Sequence, residues 1–172
     1  MNGLSLALWG VTLALSSLAQ AQEPASSCPA PVAATGELAP WNVPRPLQAG
    51  ARSSQTSAST LAIGQAVRLT LLGTPQVRYP VRPEKPGGSV SYGGLIRLDV
   101  ERAGTYRVAL GSAAWIDLVH DGKALTSSAH GRGPDCTGIR KMVDFALTPG
   151  RYTVQIAANG EPETTVLVAR LP

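Results

Sequence analysis

The sequence is poor in the residues most chemistry needs. It has two cysteines, two histidines and one phenylalanine, and aromatics make up 5% of it. No C-x-x-C occurs, which argues against a thiol metal site or a redox pair. No G-x-S-x-G occurs, so there is no nucleophile elbow, and no serine can be placed against either histidine. No G-K-[ST] ends a glycine-rich run, which excludes a phosphate loop. No long segment repeats with helical period. Composition excludes collagen, coiled coils and multi-pass membrane proteins. Charged residues are 15% of the chain and the net charge is +4, without the long basic stripe that nucleic acid requires.

What is present begins with a leader. Leu4 to Leu18 is an apolar run, and the first 21 residues carry no charged side chain. The run is shorter than the roughly 20 residues a membrane crossing needs. It ends at Ala19-Gln20-Ala21, an A-x-A cleavage pattern, which makes 1–21 a signal peptide and Gln22 the mature N-terminus. The expected destination is the periplasm or the exterior, with no stable membrane insertion after cleavage. An uncleaved anchor is the alternative. In an oxidising compartment Cys28 and Cys136 are expected to form a disulfide. The chain beyond the leader is long enough for one domain with its own core.

Residues 22–60 are rich in Pro, Ala, Ser and Thr and read as an extended segment, with Arg52 to Thr60 as a linker. Trp41 within it is a candidate for stacking on a ligand. From residue 61 to 172 the period changes to two. Val67-Leu69-Leu71, Ile96-Leu98-Val100, Tyr106-Val108-Leu110, Val143-Phe145-Leu147 and Tyr152-Val154-Ile156 each alternate with polar or small residues. These are half-buried strands. Thr164 to Leu171 is apolar on both faces and reads as a central strand. Asp121-Gly122 predicts a type I′ hairpin between 115–120 and 123–127. Ala103-Gly104-x-Tyr106 and Pro149-Gly150-x-Tyr152 open two strands in the same way. Strands without intervening helices predict an all-β fold, an antiparallel, jelly-roll-like sandwich.

Two groups of side chains are candidate sites. Tyr79, Arg82, Lys85 and Tyr92 surround a segment with three prolines, Pro80, Pro83 and Pro86. Proline cannot serve a central strand, so this is a stiff loop, and loops on a rigid sandwich carry binding residues. Rings beside guanidinium and ammonium groups suit an envelope polysaccharide or an exported protein partner. The glycine-rich run 87–94 beyond it is a flexible loop or a bulged strand. His120, His130 and Asp135 are the second group, a candidate metal set if the hairpin folds one histidine toward the other. The competing reading puts His120 at a strand end and Asp121 in the turn. The residues themselves call for no cofactor.

Two resemblances add to this. Val77-Arg78-Tyr79-Pro80-Val81-Arg82-Pro83-Glu84-Lys85-Pro86 through Gly94, Ala114-Trp115-Ile116-Asp117, and Gly138-Ile139-Arg140-Lys141-Met142-Val143-Asp144-Phe145 carry the first. Together they resemble a family of small exported Gram-negative bacterial proteins often labelled homogentisate dioxygenase. The label implies a ring-opening enzyme with non-haem iron. Such iron takes two histidines and a carboxylate on one face; the chain has only His120 and His130, with no H-x-H pair. The small-Gly-x-Tyr-x-Val strand openings carry the second resemblance, to pre-peptidase C-terminal and other jelly-roll domains, which implies a fold but no ligand. The leading reading is a non-catalytic exported binding module. A small iron-dependent enzyme is the alternative.

Overall fold

Alternation of apolar and polar residues puts one face of a strand in a core and the other outside. In the computed structural model, which describes residues 28–172, every alternating run is a strand. The expected leader lies outside the described residues. In chain order the strands are β1 (Arg45–Gln48), β2 (Thr60–Leu61), β3 (Ala66–Thr70), β4 (Leu72–Gly73), β5 (Tyr92–Val100) and β6 (Gly104–Leu110). They continue with β7 (Trp115–His120), β8 (Lys123–Ala124), β9 (Ala129–Gly131), β10 (Lys141–Leu147), β11 (Gly150–Asn159) and β12 (Glu163–Arg170). One sheet, A, has the order β1-β3-β12-β6-β10-β9. The other, B, runs β2-β5-β11-β7-β8, with β4 also on β5.

The inward residues of both sheets form one core. Sheet A contributes Val108, Leu110, Phe145 and Val166, and sheet B faces them with Ile96, Leu98, Leu118 and Val154. Each such side chain contributes about 1.5–3 kcal/mol when fully buried. The chain passes from one sheet to the other at most of its connections. The 121–122 hairpin is an exception: Asp121 has φ 47° and Gly122 φ 74°, as a type I′ turn requires, and β7 pairs β8 across it.

The sandwich is mixed rather than wholly antiparallel. β1 lies parallel to β3, and β2 parallel to β5. Both come from the segment expected to be extended, which runs along the sheet edges, where Pro46 is tolerated because an edge strand can spare an amide. Arg52 to Thr60 is likewise not a free linker. It contains the 3-10 turn Ser53–Gln55, and Thr56 and Ser59 are buried.

β12 is central, between β3 and β6, and both its faces are covered. Val166 and Val168 point into the main core, while Leu167 and Ala169 point outward beneath Leu38 and Trp41. Those two residues sit in the 3-10 turn Gly36–Asn42, a strap across the outside of sheet A. Three further contacts hold it. Trp41 Nε1 donates to Thr137 O at 3.0 Å, Val32 N donates to Cys136 O at 2.8 Å, and Cys28 is disulfide-bonded to Cys136. Trp41 is thus a packing residue, 8% exposed.

Candidate functional site

The outer face of sheet B is covered by the proline-rich loop, and the glycines of β5 explain how. A register shift between Ile156 and Asn159 of β11 bulges the ladder opposite β5. Tyr79 turns down at that point and its hydroxyl donates to Ile156 O at 3.1 Å. A Cβ on Gly93 would collide with this hydroxyl, so the glycine is required by close approach. Burial pushes the Tyr79 pKa up to about 12. Two residues on, the buried Gln155 side chain accepts from Val81 N at 3.2 Å and donates to Val81 O at 3.1 Å. Pro83 is buried as well. The loop is a built element that presents Arg82 and Lys85 to solvent.

Lys85 reaches Trp115, its ammonium 5.6 Å from the ring centroid. Trp115 and Asp117 stand two residues apart on β7 and share its outer face, while Ile116 and Leu118 point inward. Trp115 Nε1 donates to Asp117 Oδ1 at 2.9 Å, and Gln155 Nε2 donates to Asp117 Oδ2 at 2.9 Å. Lys141, at the start of β10, lies over the same indole at 5.4 Å and donates to Ala114 O at 2.8 Å. Burial lowers the Lys141 pKa from the ordinary lysine value; Lys85 acts in the same direction, and Asp117 opposes it.

Trp115, Asp117 and Lys141 line a cleft of about 320 Å³ where the edge of sheet B meets that of sheet A. Ile116, Val143 and Phe145 form apolar wall, and Lys141, Ser127 and His130 are polar lining. Apolar walls with a few placed polar groups are the usual make-up of a ligand site.

The residues proposed from sequence divide accordingly. Lys85 reaches the indole that lines the cleft, and His130 lines the cleft itself. Tyr79 and Tyr92 are structural: one is tied down by its hydroxyl, and the other packs against the core. Arg82 is exposed on the loop. No site motif singles out Trp115, Asp117, Lys141 or Gln155. The available signal is a strand with Trp115 and Asp117 on its polar face, where a large indole needs cover.

The histidines are not brought together as a metal set. His120 is on β7 in sheet B, stacked on Tyr152 at 4.5 Å with Nδ1 2.9 Å from Arg151 O. His130 is on β9 in sheet A, and Asp135 is exposed in the loop beyond it. Among the described residues no three His, Cys, Asp or Glu side chains are grouped to hold a metal ion. This arrangement does not fit the iron that the dioxygenase label implies.

No family model matches the chain, and no curated protein matches it. Among solved structures it is similar to the pre-peptidase C-terminal domain of collagenase from Bacillus anthracis. The identity is 12% and the TM-score 0.42, over 64% of this chain and 92% of that domain. None of the comparisons points to a dioxygenase.

Proposed function

We propose that the protein is an exported, periplasmic or secreted, non-catalytic binding module, and that its ligand is an envelope polysaccharide held at the cleft beside Trp115. The observation that carries this reading is the indole with Lys85 and Lys141 both over it, beside a cleft with apolar walls. Two ammoniums held near each other cost folding stability and mark a place where a ligand completes the charge. The cations come from different elements, a clamped loop and a sheet strand, so they are positioned before any ligand arrives, which lowers the entropy cost of binding. Export is supported by the disulfide, which persists in oxidising compartments. Two groups that catalysis could use are occupied: both Asp117 oxygens are hydrogen-bonded, and His120 is stacked and tied to Arg151 O.

Sedimentation with protein-free envelope polysaccharide tests the reading. The mature protein should pellet with it, and the double variant Lys85→Met, Lys141→Met should stay in the supernatant while keeping its β-sheet circular dichroism and a cooperative melt. Equal retention of the two proteins would move the site elsewhere. Retention only on envelope that still contains protein would replace the polysaccharide by a protein partner.

A further inference from the structure

The cleft holds a backbone donor that the sheet leaves unused. Leu125 N donates to Leu118 O at 2.8 Å, which places the Leu118 peptide groups on the outer edge of β7. Backbone groups alternate in direction along an antiparallel strand, so Ile116 presents its N–H and C=O to that same edge. β8 pairs only with Val119 and His120 and stops short of Ile116. Ala114 has the same parity, and its carbonyl is covered by Lys141 Nζ. The Ile116 amide is therefore a donor on an open strand edge, next to an ammonium, and both residues line the cleft.

The charge there is unbalanced. Asp117 is the one carboxylate of the lining, and its two oxygens are already taken by Trp115 and Gln155. Lys141 is the one ammonium of the lining, and Lys85 adds a second positive charge from over the Trp115 indole. Lys141 uses one N–H on Ala114 O, and an ammonium has two more. The unused donors and the excess positive charge call for an anion with two acceptor oxygens. The walls Val143 and Phe145 call for a ligand with an apolar face. A volume of about 320 Å³ is at the low end for ligand pockets, which suits a single sugar ring.

We infer that the pocket takes a hexuronate residue of an acidic polysaccharide, its carboxylate held between the Lys141 ammonium and the Ile116 amide. This rests on the polysaccharide reading and adds the chemical class of the sugar. Charge-assisted bonds to a carboxylate are stronger than neutral ones, so the carboxylate dominates selection.

The test titrates mature protein with polygalacturonate, with the same polymer fully methyl-esterified and with polyglutamate, following affinity by calorimetry and backbone amides by NMR. The acid form should bind at least tenfold tighter than the ester. The Ile116 amide should shift on binding. Lys141→Met should lose the preference for the acid form, and Lys141→Arg, which keeps the charge, should retain it. Equal binding of acid and ester, both lost in Lys85→Met with Lys141→Met, would leave the polysaccharide reading standing and overturn the carboxylate. Binding of polyglutamate at Ile116 with neither polysaccharide bound would overturn the polysaccharide reading and with it the hexuronate. No movement of Ile116 with any of the three polymers would overturn the pocket itself.

Discussion

Gln155 holds the backbone of Val81 as a neighbouring strand would, accepting from its amide at 3.2 Å and donating to its carbonyl at 3.1 Å. The side chain is fully buried, and its second N–H goes to Asp117. One residue thus ties the loop that carries Lys85 to the strand that carries Trp115. Gln155→Leu should strand the Val81 peptide and one Asp117 oxygen, at a cost of about 1–3 kcal/mol per buried group left unsatisfied. Urea unfolding should show the loss. Hydrogen exchange at the Val81 amide should accelerate well beyond that of the β11 ladder.

The two Gly-x-Tyr openings are the same device, one in each sheet. Tyr106 donates to Arg102 O at 2.7 Å and Tyr152 to Thr148 O at 2.8 Å, each reaching four residues back. Both rings are buried in the core. Tyr106→Phe and Tyr152→Phe keep the packing and remove these bonds, and Tyr152→Phe also removes the acceptor of Thr148 N at 3.2 Å. Each should destabilise by about 0.5–1.5 kcal/mol, and because the two lie in different sheets the double variant should be close to additive. Melting temperatures of the three variants check this.

Tyr79 gives the fold a pH dependence at the alkaline end. Its folded pKa is raised to about 12, against about 10 for a free tyrosine. A group raised on folding contributes stability that is complete below its unfolded pKa and lost as pH rises through the folded one. Stability should therefore fall between about pH 10 and about pH 12, and Tyr79→Phe should flatten that part of the curve. Denaturant midpoints across the interval measure it.

The disulfide closes a loop of 108 residues, which by chain-entropy scaling corresponds to about 4–5 kcal/mol. Cys28→Ser with Cys136→Ser should lower stability in that direction. It should also loosen the strap: the Trp41 indole N–H, bonded to Thr137 O, should lose protection from exchange while the main core stays protected.

The strands are legible because burial on one face writes a period of two, and the turn at 121–122 because positive φ demands Asp-Gly. β12 carries a further message. Its apolar outer residues, Leu167 and Ala169, announce a cover, and the cover is the segment around Leu38 and Trp41. That segment is not legible as structure because its order comes from contacts with distant residues such as Thr137 and Ile139 rather than from local periodicity. Its parallel pairings are hidden for the same reason. At the site, Lys85 is visible from its proline-rich loop. Trp115, Lys141 and Gln155 are not, because they meet only when the two sheet edges and the loop come together. Nothing local marks Tyr79 as tied down rather than presented to a ligand: a tyrosine beside prolines gives no sign that a bulge and a distant glycine admit its ring.

The proposed polysaccharide site is the cleft lined by Trp115 and Lys141, with Lys85 over the indole. The most direct measurement follows the indole N–H resonances of Trp115 and Trp41 in the mature protein as solubilised envelope polysaccharide is added. The Trp115 resonance should shift saturably, and not in Lys85→Met with Lys141→Met, while that of Trp41 should stay in place beneath the strap. A shift at Trp41 with none at Trp115 would contradict it.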